Sequence, residues 1–160
     1  MLRLLLASLF AFTLALSGPA AGVTIGDTLP ELEFPTQHDE MRPFPGQAHW
    51  ILFTGEKKTA ELAQMALQDL TSEQMEALNL VYLMDISPMP SLITRMFMLP
   101  KMRELDYTVL LARESGLTDF MPREAGQITV IRLEEGRVAS INFLSEATQL
   151  RELLGLPDHP

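Results

Sequence analysis

Three groups of residues in this 160-residue chain are of types that could do chemistry. The first is Glu56, Lys57 and Lys58, which lie between an apolar run over Trp50–Thr54 and a helical pattern that opens near Thr59. A lysine at such a strand-to-helix turn could bind a carboxylate or phosphate, because the unpaired N–H groups of a helix start favour anions. A solvated polar turn accounts for the same residues equally. The second is Asp85, which closes a second apolar run over residues 80–84 (LVYLM). It stands at the carboxyl end of a strand, where open α/β sheets place ligands. A general base needs a partner within hydrogen-bond reach, and His38, His49 and His159 are scattered and form no motif; capping the next turn is the alternative role for Asp85. The third is a dense set of methionines, Met84, Met89, Met96, Met98 and Met102. Met96 and Met98 are the pair whose soft thioethers could hold Cu(I), although methionine is also an adaptable filler of cores and contact surfaces.

What is missing narrows the chemistry further. There is no cysteine, which excludes disulfide exchange, thiol peroxidase and cysteine-protease chemistry, thiolate zinc sites and iron–sulfur clusters. HExxH, GxSxG and phosphate-loop spacings are absent, and Gly55 alone implies no nucleotide. No cofactor, resident metal or catalytic residue is therefore expected, with a thiol-independent enzyme using Asp85, Lys57 or Lys58, or a methionine-based copper-handling protein, as the alternatives. With 12 Lys+Arg against 21 Asp+Glu the net charge is -9, which weighs against nucleic acid and against anionic membrane surfaces as the main partner.

The elements that must position these residues follow an N-terminal leader. Arg3, a 13-residue apolar run over 4–16 and the small residues Ser17 to Gly22 have the layout of a cleavable export signal. The run is shorter than the roughly 20 residues that span a bilayer. This divides the chain into a signal over 1–21, one domain over 22–155 and a short tail over 156–160, and places the domain in the periplasm. Loss of Arg3 leaves 11 basic and 21 acidic residues, a net charge of -10. Within the domain, Leu32 and Phe34 alternate with acids as an edge strand before Pro35. Trp50–Thr54 and residues 80–84 are unbroken apolar runs, as in strands buried on both faces. Between them Leu62, Ala63, Ala66, Leu67 and Leu70 have helical spacing behind Thr59 as N-cap, and Thr71 to Gln74 form a capping box. Residues 91–105 are helical in pattern, with a kink or restart at Pro100. Residues 107–112 form a strand, residues 127–133 and 137–143 form a hairpin around Gly136, and a last helix starts near Ser145 with Leu150, Leu153 and Leu154 facing the core.

The order of these elements, and above all residues 127–138 followed by the helix over 145–154, resembles the thioredoxin fold. The opening Gly26-Asp27-Thr28-Leu29-Pro30 is similar to the start of peroxiredoxin-like and exported thioredoxin-like domains. The resemblance implies an α/β, three-layer thioredoxin-like sandwich with a mixed central sheet flanked by helices. Enzymes of that fold carry Cys-x-x-Cys or one peroxidatic Cys after the strand matching Trp50–Thr54, and this chain has residues 55–60 (GEKKTA) there. The family's cis-proline before the hairpin is matched by Gln127, preceded by Gly126. Among cysteine-free exported members the chain resembles the uncharacterised YtfJ family in its leader, in Met96-Phe97 and in its Gly-Arg-Val ending. These features imply a protein that is neither a thiol-disulfide oxidoreductase nor a thiol peroxidase, but a binding or accessory module with an envelope protein as partner. Its contact edge comprises residues 56–59, 85–90 and 124–127, with Glu56, Lys57, Lys58, Thr59, Asp85, Met89 and Gln127 as the binding residues. On export the chain should begin between Ala20 and Gly22, which the intact mass of the recovered protein checks; a mass that retains residues 1–19 contradicts cleavage.

Overall fold

The computed structural model describes residues 22–157. Residues 1–21, expected to be an export signal, and residues 158–160, with His159, lie outside them. In chain order the elements are β1 (Leu32–Pro35), β2 (Met41–Phe44), β3 (Trp50–Thr54), α1 (Lys57–Leu67), α2 (Ser72–Ala77) and β4 (Leu80–Asp85). A helical segment follows in which α3 (Ser91–Ile93) passes through a π-helical stretch (Thr94–Met98) into α4 (Leu99–Met102). Then come β5 (Leu110–Ala112), β6 (Ile128–Glu134), β7 (Arg137–Leu144) and α5 (Ala147–Leu153).

The central sheet has the order β5-β4-β3-β6-β7. The strands β3, β4 and β5 are parallel, whereas β6 runs antiparallel to both β3 and β7. Alternation along each strand divides the core into two clusters. Leu52, Tyr82, Leu111, Ile128 and Val130 face one side, where they meet Ala63, Ala66 and Leu67 of α1, Met75 of α2, Leu99 and Met102 of α4 and Leu150 of α5. Ile51, Phe53, Leu83, Leu110 and Ile131 face the other, packed under Leu29, Phe34, Phe44 and Met121. The helices thus form one layer and the β1-β2 hairpin with neighbouring loops forms the third. The hairpin also covers the sheet's β5 edge, through a bridge between Thr36 and Leu110.

Several local details differ from the sequence reading, each for a physical reason. The start of α1 is Lys57 and its N-cap is Glu56, not Thr59. Thr59 is the third helical residue; its hydroxyl is 2.9 Å from the Glu56 carbonyl oxygen and 3.2 Å from the Glu56 nitrogen. The strand β2 is disguised by Pro43 and by Pro45 just after it; it pairs with β1 alone, the arrangement in which a strand tolerates proline. Pro100 does restart a helix, lying in the first turn of α4 after the π-helical stretch. The tight turn between β6 and β7 has both Glu135 (φ 50°) and Gly136 (φ 75°) in the left-handed region, as a two-residue hairpin turn matched to the sheet twist requires.

One buried cation locks the last helix to the body. Arg151 is only 4% exposed, and its guanidinium donates to Ala66 O (2.7 Å), to both Asp69 carboxylate oxygens (2.7 and 3.1 Å) and to Pro157 O (2.9 Å). Leu156 packs against the helix-side core, so α1, α5 and the chain after α5 share one fastening. Replacing a buried charge that has four partners leaves them unpaired. Arg151→Ala should lower the unfolding free energy by about 3 kcal/mol, and Arg151→Lys should recover only part of it because an ammonium cannot reproduce the planar fork. Urea denaturation of the three proteins measures this.

Candidate functional site

The carboxyl ends of β3 and β4 and the amino end of β6 meet at one edge of the sheet, and the loops there carry most of the expected residues. Glu56 extends from the end of β3, with a backbone of φ -132° and ψ 152°. Its Oε1 accepts from the Gly126 N–H at 3.0 Å, which ties the first loop to the one before β6. Lys58 lies over the same glycine, since a Cβ on Gly126 would stand 3.3 Å from Lys58 Nζ. Gly126 has φ +70°, a conformation that resists any side chain. Lys57 and Lys58 occupy the first turn of α1, where the helix dipole disfavours cations. The Glu56 carboxylate supplies the anion that this turn otherwise lacks, and Lys57 lies 3.7 Å from Glu61.

Asp85 anchors the second half of the edge. Its Oδ2 accepts from the Thr118 hydroxyl at 2.6 Å and from Arg123 Nη2 at 3.0 Å, and its Oδ1 accepts from the Ser87 N–H at 3.0 Å. The Arg123 guanidinium sits 4.8 Å above the Phe53 ring and donates to Thr118 O at 3.2 Å. A Cβ on Gly55 would come within 3.0 Å of Arg123 Nη1. Arg123 therefore bridges the ends of β3 and β4 and the loop before β6. Burial works to raise the Asp85 pKa, but the hydrogen bonds from Thr118, Ser87 and Arg123 outweigh it, so the carboxyl lies below the ordinary aspartate value of 3.8. Asp85 is thus a fixed anion at neutral pH and poorly suited to take up a proton. Deeper in the same edge, the Thr54 and Tyr82 hydroxyls are 3.0 Å apart, and burial raises the Tyr82 phenol well above its usual range.

The remaining expected residues separate by exposure. Lys57 reaches into solvent with its side chain 91% exposed. Met89 is exposed at the end of the loop after β4, and Gln127 is half-buried, its N–H donating to Glu124 O at 3.0 Å. Thr59 is buried and does not reach the surface. Met96 is exposed whereas Met98 packs against the helix-side core, so the pair considered for copper is divided between outside and inside. Among the described residues no group of three His, Asp or Glu side chains could hold a metal ion. Arg123 and Thr118 were not singled out by the sequence; a basic residue just after the Met121-Pro122 turn was the available signal. A cleft of about 320 Å³ lies at the opposite end of β4, among Pro45, Ala48, Met75, Asn79 and Tyr82, and a second surrounds His49, Trp50 and Arg132. Neither is lined by the Glu56, Asp85 or Gln127 loops.

The fold is that of thioredoxin-like proteins. Solved structures of that class superimpose over most of the chain, at identities that speak to fold alone. A proposed protein disulfide isomerase from Bacteroides thetaiotaomicron aligns with a TM-score of 0.58 at 13% identity, over 83% of this chain and 87% of its own. Peroxidoxin BcpB from Mycobacterium tuberculosis aligns at 0.55 and 13%, over 82% and 94%. The thioredoxin domain of a thiol-disulfide oxidoreductase from Bacteroides vulgatus aligns at 0.52 and 7%, over 83% and 99%. No protein-family model and no curated protein matches the sequence. The chain is a thioredoxin-fold protein without cysteine, and Glu56 to Lys58 occupy the strand-to-helix turn.

The Asp85 cluster has a pH signature. A folded pKa lowered below 3.8 contributes stability that is complete above that value and is lost as pH falls through the folded one. Arg123→Ala should cost about 1 kcal/mol at neutral pH, a modest figure because the guanidinium is partly exposed. It should also move the Asp85-linked loss of stability to higher pH, and Asp85→Asn should abolish that component. Acid unfolding followed by Trp50 fluorescence distinguishes the three proteins.

Proposed function

We propose that this chain is an exported, redox-inactive thioredoxin-fold protein that serves as a non-catalytic binding or accessory module of the cell envelope. The contact edge in this reading comprises Glu56, Lys57, Lys58, Met89 and Gln127, with Asp85 held beneath it as the anchor of its second loop. The observation that carries it is the self-satisfied state of that edge. Glu56 is taken up by Gly126 and the helix start, and Asp85 by Thr118, Ser87 and Arg123. An acid–base catalyst needs a group free to exchange a proton and a pocket that excludes water, and neither described cleft lies here. A partner protein instead needs a rigid, polar-rimmed edge with some apolar contact. Exposed Lys57 and Lys58 and the adaptable Met89 offer those features. The leader supports export, and the likeness to the YtfJ family in leader, Met96-Phe97 and closing hairpin points the same way.

A photo-crosslinking residue at position 57, at position 89 and, as a control, at exposed Glu152 on α5 tests the reading in the expressing cell. One envelope protein should be recovered from positions 57 and 89 and not from 152. Recovery at background level from both edge positions contradicts the module reading.

A further inference from the structure

We infer that the loop and helical segment over residues 86–103 form a docking surface for an anionic lipid bilayer, on which Leu92, Ile93, Met96 and Phe97 enter the interface while Arg95 and Lys101 meet the headgroups. Leu92 is 65% exposed, Met96 58% and Phe97 63%, with Ile93 and Met89 also exposed. Most large apolar side chains left outside among the described residues therefore fall in this one stretch. The π-helical stretch, Thr94–Met98, carries Met96 and Phe97 among them. Thr94, Leu99 and Met102 face inward, and the five-residue step from Thr94 to Leu99 contains one residue more than an α-helical turn. Between these inward positions Arg95, Met96 and Phe97 are all exposed.

Charge identifies the occupant. Of the chain's 12 basic and 21 acidic residues, this 18-residue stretch holds Arg95, Lys101 and Arg103 and no acid. Arg103 is paired with Asp39, whereas among the described residues no ion pair joins Arg95 or Lys101. A cationic, apolar helical ridge in a chain of net charge -9 is a local reversal of the global balance, and it matches a surface that is negative outside and apolar within. A second copy of the chain is disfavoured, because a two-fold contact would press the same cations together. A partner that inserts a side chain would need a pocket, and neither described cleft is lined by this segment. The docking is peripheral: no helix among the described residues is long and apolar enough to cross a membrane. It goes beyond the module reading and does not depend on it, since crosslinking at positions 57 and 89 can fail while vesicle binding holds, and the reverse.

The test is co-sedimentation of a chain beginning at Gly22, which holds every element described above. The vesicles are phosphatidylcholine with about 30% phosphatidylglycerol, compared with phosphatidylcholine alone. Binding is expected to the anionic vesicles at low salt and to fall as salt is raised. The double variant Arg95→Glu with Lys101→Glu should bind at least about tenfold more weakly. Leu92→Ser with Phe97→Ser should weaken it to a similar degree, about tenfold. All four residues are exposed, so circular dichroism should be unchanged. Sedimentation no better than with neutral vesicles, or full binding by either variant, overturns the inference. An acidic protein that selects the same ridge would leave the vesicles unbound, and that outcome also overturns it.

Discussion

The constraint on which this structure depends is how to close the active edge of a thioredoxin-like sheet without a thiol. At that edge β3 and β4 end, β6 begins, and three loops must be held together over the ends of parallel strands. The Asp85–Arg123 pair does most of this. It joins the end of β4 to the loop before β6, and its guanidinium lies against Gly55 and the Phe53 ring at the end of β3. Because the Asp85 side chain is 7% exposed while Arg123 keeps 42%, the anion is the buried member and the cation shields it. A buried carboxylate is tolerable only when it has several donors, and Thr118 and the Ser87 N–H complete the set.

The Glu56–Gly126 bond is the complementary half. A backbone N–H preceding the hairpin is taken by the chain's own carboxylate, so this donor is engaged within the molecule. Both halves tie the three loops of the edge to one another. The fold does not require a thiol here: the sheet needs only a strand end and a helix start at this position.

The sequence makes some of this legible and conceals the rest for identifiable reasons. The strands β3 and β4 stand out because both faces of each are buried, giving WILFT and LVYLM as unbroken apolar runs. The hairpin stands out because Gly136 sits between two alternating segments, and the capping box of α2 because its residues are neighbours in sequence. The N-cap of α1 lies three residues before the threonine that residue type favours, since Thr59 and Glu56 belong to one reciprocal motif and threonine is the stronger cap by type. Arg123 and Arg151 are hidden for the opposite reason. Their partners lie 38 and 82 positions away at Asp85 and Asp69, and no local pattern marks a long-range ion pair. Pro43 conceals β2, because an edge strand held only by a hairpin partner can carry a residue that strand statistics reject.

The loop after β4 links the two surfaces of the molecule. Asp85 fixes its first turn through Ser87, the Ile86 N–H bonds Ala112 O at 2.9 Å, and the Met89 N–H bonds Ile86 O at 3.0 Å. The helical segment therefore leaves the sheet from a loop already locked by the Asp85 cluster. With its start fixed there and Leu99, Met102 and Tyr107 fixed in the helix-side core, the intervening chain has one residue too many for a regular α-helix. The surplus is absorbed as a π-helical stretch rather than as a loop because Thr94 and Leu99 both remain inside. Met96 and Phe97 lie within this stretch, on its outer side. Asp85 and the exposed apolar residues thus lie along one continuous stretch of chain, held at its start by Ser87, Thr118 and Arg123 and at its far end by Leu99 and Met102 in the helix-side core.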